Sequence, residues 1–175
     1  MSPSSVVELT AFLREADLTL SALDDPTVRL WVVRGGVDDV VGSAGTGTGT
    51  GTGSGSDSDS GSGSAIVGST GYELSADRRH ALVRSVAVHP AARRGGLGRQ
   101  LALAALDAAA VEGATDAWLF SRRSGPFWQS LGFQPAERGA LAAALPDAHQ
   151  VRLFRESGQL AREVAWHRPL PTPRT

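Results

Sequence analysis

The stretch that decides the fold runs from Ala81 to Arg99: Ala81-Leu82-Val83-Arg84-Ser85-Val86-Ala87-Val88, then His89-Pro90-Ala91-Ala92, then Arg93-Arg94-Gly95-Gly96-Leu97-Gly98-Arg99. Its first eight residues are nearly continuous in apolar side chains, the pattern of a strand covered on both faces and therefore central in its sheet. Arg84 and Ser85 are the only polar interruptions. After Arg99 an alanine- and leucine-rich run extends to Glu112 and stops at Gly113, which predicts a helix with a glycine at its end. That helix is apolar nearly all round and is expected to be buried. A glycine-rich turn between a strand and a helix presents main-chain N–H groups at the positive end of the helix dipole, ready for a phosphate or diphosphate. Arg93, Arg94 and Arg99 reinforce that charge.

Three anion-binding readings compete, and spacing separates them. A P-loop ends in Gly-Lys-Ser/Thr, whereas Gly98 is followed by Arg99 and Gln100, so no hydroxyl is placed for magnesium. A dinucleotide fingerprint needs a third glycine, but Leu101 stands there, and no acidic residue closes the following strand. The third reading, a loop for coenzyme A, is what the resemblance of Val86 to Pro90 and Arg93-x-x-Gly96-x-Gly98 to the core motif of the GNAT N-acetyltransferases implies.

Outward from this core, Val6, Leu9, Phe12, Leu13 and Ala16 recur at helical spacing, with Ser4 or Ser5 available as the cap. Val28 to Arg34 reads as a strand that ends at Gly35-Gly36, and with the short run Val37 to Gly42 it predicts a hairpin. Ser43 to Ser64 is almost wholly Gly, Thr, Ser and Asp, with nothing to bury against the entropy cost of ordering it, so residues 43–64 are expected to be a disordered insert. Asp57 and Asp59 resemble the start of a calcium loop, but Gly68 stands where the bidentate Glu belongs. Ala65 to Leu74 is the next strand. Ala117 to Phe120 gives another, Ser124-Gly125-Pro126 starts a short helix, and Gly132 ends it before Phe133. Beyond Pro135 we expect a helix over Gly139 to Leu145, a strand near Val151 to Phe154 and a last strand near Glu163 to His167. Residues 169–175 should form an extended tail, leaving one domain over 1–168.

Composition narrows the function. At 175 residues and 41% apolar content the chain holds one domain with a single core. A net charge of -1 gives no bulk positive field for nucleic acid or anionic lipid, so neither is expected as a partner. Cysteine is absent and the four histidines stand far apart, so no metal is expected. No charged segment followed by an apolar one opens the sequence, and no apolar run approaches bilayer-spanning length. A soluble, cytoplasmic protein acting on small molecules is the expectation.

Val86-Ala87-Val88-His89-Pro90 followed by Arg93-x-x-Gly96-x-Gly98 resembles the core motif of the GNAT N-acetyltransferases. Phe127-Trp128-Gln129-Ser130-Leu131-Gly132-Phe133 resembles that family's helix ending in Leu-Gly-Phe. Within the family, Gly71-Tyr72-Glu73 with Leu82 to Val88 resembles the amino-acid N-acetyltransferases associated with arsenic resistance. The resemblance implies an α/β (α+β) fold in which a mixed central sheet is flanked by helices and splayed in a V between the strands ending at Val88 and near Phe120. It implies acetyl-CoA as cosubstrate, with Val86, Ala87 and Val88 pairing to the pantetheine and Arg93, Arg94, Gly95, Gly96, Leu97, Gly98 and Arg99 forming the diphosphate site. The partner implied is a small-molecule amine, most naturally an amino acid; a peptide N-terminus or a non-catalytic CoA-binding role are the alternatives, and a homodimer is left open.

Direct attack of a neutral amine on the thioester needs a positioned amine, a proton acceptor and a polarised carbonyl. An α-amino group with pKa near 8 needs only about 1.4 kcal/mol to be neutral at pH 7, against about 5 kcal/mol for a lysine-like amine. Glu73, ending the strand beside the expected cleft, is the candidate base; an exposed strand-end carboxylate is the other reading. Arg84, costly to bury alone, either binds an acceptor carboxylate or pairs with Glu73. His89 reads as a turn residue. Many family members carry a tyrosine where this chain has Trp128, and indole is no acid at neutral pH. The thiolate then leaves unassisted or takes a proton from water or from a hydroxyl of Ser121, Ser124 or Ser130, of which Ser124 is the candidate.

Overall fold

The computed structural model describes residues 3–35 and 65–171. The apolar run that starts the deciding stretch becomes β3 (His80–Val88), an inner strand with Ala81 to Ser85 all buried. Antiparallel to it lies β2 (Ile66–Leu74), and antiparallel to β2 lies the edge strand β1 (Arg29–Arg34), preceded by helix α1 (Pro3–Glu15). Gly71 is the only residue type its position admits, since a Cβ there would stand 2.4 Å from the Arg29 carbonyl oxygen. A 3-10 turn (Pro90–Gly95) leads from β3 into α2 (Leu97–Val111), and the chain returns as β4 (Asp116–Phe120), parallel to β3. The remainder is α3 (Gly125–Ser130), β5 (Gln134–Ala136), α4 (Arg138–Ala144), α5 (His149–Glu156), a 3-10 turn (Gln159–Arg162) and β6 (Ala165–Pro169). The strand order is β1-β2-β3-β4-β6-β5, a mixed six-stranded sheet.

Alternation along the strands gives the sheet two different faces. Ala81, Val83, Ala117, Leu119 and Trp166 pack with α2 and α3 through Ala102, Ala105, Leu106, Trp128 and Phe133. Leu82, Trp118, Phe120 and Ala165 pack with α4 and α5 through Leu141, Leu145 and Val151. The inner strands are therefore covered on both sides.

Four expectations need correction or restriction. Val151 to Phe154 is part of helix α5, not a strand: Val151 and Phe154 are buried while Leu153 between them is exposed, which is helical spacing. A run as short as Val-Arg-Leu-Phe fits either period. Helix α2 is buried along one face only, with Val111 80% exposed, because alanine is small enough to occupy any side of a helix. The hydrogen-bonded partner of β1 is β2, with Arg34 opposite Ile66 and the Gly35 N–H donating to the Ala65 carbonyl at 3.1 Å. The run Val37 to Gly42 and the insert 43–64 lie outside the described residues, as do residues 172–175 of the expected tail. Pro169 closes β6 and Leu170 is buried, so the tail is docked at its start.

Candidate active site

Strands β3 and β4 are paired only from His80 opposite Asp116 to Leu82 opposite Trp118, and beyond that rung they part. The cause lies in β3. Its register against β2 slips between Ser69 opposite Ala87 and Gly71 opposite Arg84, leaving an extra residue facing Thr70. Ser85 takes up the bulge in the left-handed region, at φ 56°, and its carbonyl oxygen accepts a 2.7 Å hydrogen bond from the Ser69 hydroxyl. Bulges bend and twist the strand that carries them. The result is a cleft of about 890 Å3 between β3 and β4.

One wall of the cleft is mostly main chain. Val86, Ala87 and Val88 line it; Ala87 and Val88 are paired on their other side to β2, and none of the three has a partner strand toward β4. His89 Nδ1 accepts from the Ala91 N–H at 3.3 Å and so caps the 3-10 turn, a structural post. That turn ends at Gly96, at φ 74°, which is also the residue before α2 and offers no side chain to cap it. The first N–H groups of α2 thus lack intrahelical acceptors and are not covered. Gly98 lies close under the strand, since a Cβ there would come 3.4 Å from Val88 Cγ2. Arg93 donates to the Val88 carbonyl at 3.3 Å, and Arg99 also lines the cleft. Arg94, Gly95 and Leu97 are not cleft-lining; Arg94 and Gly95 are exposed, and Leu97 leans toward Gly68. Open main-chain groups, two arginines and a glycine under the strand fit the polar arm and diphosphate of coenzyme A.

The rest of the lining is built of side chains. Arg84 and Glu73 form an ion pair with both side chains almost completely buried, so each desolvated charge has its counter-charge. The second Glu73 oxygen accepts the His149 N–H at 2.6 Å, and Arg84 Nη2 donates to the Ser21 carbonyl at 2.5 Å and its hydroxyl at 3.1 Å. Burial pushes the Arg84 guanidinium below its usual value, and Glu73 opposes that shift. Glu73 is therefore neither an exposed carboxylate nor a cleft-lining one: one oxygen is held by Arg84 and the other by the His149 N–H. Arg84 does line the cleft, with its Nε buried and unpartnered.

Two further polar residues face the same space. Gln150 on α5 donates to the Thr19 hydroxyl at 3.1 Å, while its Oε1 is buried without a partner. Glu163 is 6% exposed; its Oε1 accepts from Gln159 at 2.8 Å and lies 3.6 Å from Arg122 Nε. Neither was singled out by sequence reasoning, because Gln150 stood just before a segment read as a strand and Glu163 read as the first residue of one. Trp128 is buried edge-on against Phe127 and Phe133 and contributes to the cleft wall. Ser121 and Ser124 line the cleft, whereas Ser130 does not and donates to the Phe127 carbonyl. Among the described residues no group of three or more His, Cys, Asp or Glu could hold a metal, and no helix is long and apolar enough to cross a membrane.

The sequence model of the acetyltransferase (GNAT) domain matches residues 26–135, well over half of the chain. The chain belongs to the GNAT acetyltransferase family. Solved structures share its fold. N-acetylglutamate synthase from Neisseria gonorrhoeae, complexed with coenzyme A and N-acetyl-glutamate, superposes with a TM-score of 0.65 at 17% identity over 97% of this chain. This GNAT chain spans only 33% of that protein's length. Rv2747 from Mycobacterium tuberculosis, a complex with CoA, gives 0.63 at 14% identity, covering 97% of this chain and 96% of its own. A GNAT-family acetyltransferase from Staphylococcus aureus Mu50 gives 0.60 at 14% identity, covering 98% and 96%. No curated protein matches in sequence. As an acyl-CoA-dependent acetyltransferase domain, the chain has its family match over the main-chain wall of the cleft, while Gln150 and Glu163 lie past the end of that match.

Proposed function

We propose that this GNAT domain transfers an acetyl group from acetyl-CoA to the primary amine of an amino acid or a similarly small molecule. The observation that carries the reading is the parting of β3 and β4 above Leu82 and Trp118, which opens one cleft lined both by the main-chain wall and by Thr19, Gln150, Phe154 and Glu163. The Neisseria protein of the same fold holds N-acetyl-glutamate, which supports an amino-acid acceptor. The Gly71-Tyr72-Glu73 and Leu82 to Val88 stretches support placement in the amino-acid N-acetyltransferase subgroup associated with arsenic resistance.

In this reading Arg93, Arg99 and the uncovered N–H groups of α2 hold the donor's diphosphate, and the free edge of Val86 to Val88 aligns its pantetheine. When bound, acetyl-CoA supplies the activated acyl carbonyl. Phe120, Phe127 and Trp128 exclude water from the floor of the cleft. Arg84, fixed by Glu73 and Ser21, presents its Nε–H as a point donor to an acceptor carboxylate. Glu73 acts through Arg84 as a positioning residue. The Ser124 hydroxyl, which makes no capping bond to α3, is available to pass the proton lost by the attacking nitrogen on to the departing sulfur, giving one proton at Oγ and taking up another.

The test is acetyl-CoA binding by calorimetry, followed by thiol release with the twenty common amino acids and a set of short peptides. Binding with release driven by free amino acids is the expected result. Absence of acetyl-CoA binding overturns the reading, and release with peptides alone moves the acceptor class.

A further inference from the structure

The two buried carboxylates of this site are provided for very differently. Glu73 has an arginine on one oxygen and a main-chain N–H on the other. Glu163 is as deeply buried, yet its one filled oxygen takes a neutral hydrogen bond from Gln159 and a 3.6 Å approach from Arg122, whose side chain is 54% exposed. Its Oε2 takes no hydrogen bond from any described residue. A desolvated carboxylate left half paired attracts a cation. The cleft also holds the buried and unpartnered Oε1 of Gln150.

Position agrees. Ala165 pairs with Phe120 at the last rung of β4, and Glu163, two residues earlier, continues the same face of the sheet. That face packs on α5, which carries Gln150, and is opposite the face covered by α2. Other charged groups around Glu163 are Arg138, whose guanidinium meets the Glu163 main-chain carbonyl, and, lining the same cleft, the Arg123–Asp17 pair and Glu15.

We propose that Glu163 is the catalytic base of the transfer, receiving the acceptor's ammonium group together with the Gln150 amide oxygen. This rests on the acetyltransferase reading above. Glu163 Oε2 takes one proton from the ammonium, leaving a neutral amine. As that nitrogen attacks, the C–N bond forms, the C–S bond breaks, and the second proton lost by nitrogen ends on the released thiol. The proton on Glu163 passes to solvent, so one ammonium and one thioester give one amide, one thiol and one proton.

The test compares wild type with Glu163→Gln, using acetyl-CoA and the best acceptor among the common amino acids. Acetyl-CoA affinity and melting temperature should be unchanged, while kcat/KM at pH 6.5 falls by about 100-fold or more. The free-amine fraction of the acceptor rises steeply with pH until its ammonium has titrated, and the deficit should shrink accordingly. A deficit that is constant across pH, or no deficit, overturns the base assignment while leaving the donor site intact. Loss of acetyl-CoA binding by wild type would instead sink the acetyltransferase reading. Should Glu163→Gln fail to fold, Glu163→Ala assayed with added formate decides the matter: rescue by formate supports the base, and no rescue overturns it.

Discussion

The two walls of the cleft are made in opposite ways. The wall that suits coenzyme A is continuous in sequence, Val86 to Arg99, and works through main-chain groups that glycines leave open. The other part of the lining gathers Thr19, Arg84, Gln150 and Glu163 from four parts of the chain and works through side chains. Main-chain recognition depends on local geometry and tolerates change elsewhere. Side-chain recognition depends on the tertiary contacts that hold each group, here the Ser21, Glu73 and His149 network around Arg84. The first kind of wall can be shared across a family, and the second can be respecified.

That contrast can be broken at either wall. The largest effect should come from Glu73→Ala, which strands a buried guanidinium. Stability falls by about 3–5 kcal/mol, read as a urea midpoint, and replacing both Glu73 and Arg84 by Met costs much less. Gly98→Val attacks the other wall: its side chain meets Val88 and fills the approach to the α2 N–H groups. Acetyl-CoA affinity should drop about 10- to 100-fold, the loss of charge-assisted hydrogen bonds, with a stability change that is small beside that of Glu73→Ala.

A control lies outside both walls. Glu112 is held below the usual carboxylate range chiefly by the Tyr72 hydroxyl at 2.6 Å, with Arg29 and Arg78 adding to the effect and burial opposing it. A carboxyl whose folded value is depressed stabilises above its unfolded value, about 4.3, and that contribution is lost as pH falls through the folded one. The stability gap between wild type and Glu112→Gln should therefore close between pH 6 and pH 3, with acetyl-CoA affinity unchanged throughout. Removing residues 43–64 should do least: each halving of a loop changes its closure cost by only about 0.6 kcal/mol. A large loss of activity in that deletion would add the insert to the site.

Legibility followed the same division. The main-chain wall was readable because Gly96 has a conformational reason to be where it is and Gly98 a steric one, and because the apolar run before them could only be an inner strand. The ion pair of Arg84 was half readable: an arginine in such a strand needs an acid, but only the fold shows that Glu73 reaches it and that His149 closes the second oxygen. The left-handed bulge at Ser85 left no mark, since nothing about a serine between Arg84 and Val86 announces φ 56°. Gln150 and Glu163 were hidden for a related reason. Their neighbours in space, Thr19 and Arg122, are far off in sequence, and the segment between Val151 and Phe154 was too short to reveal its period.

The Gly35 N–H to Ala65 carbonyl bond, next to the last rung of the β1–β2 ladder, has a practical meaning. Chain leaves and re-enters the sheet at adjoining positions on an outer edge, so that junction is a natural splice port. A fluorescent reporter or an affinity handle grafted there would ride on the enzyme as cargo, its ends already brought together by the host.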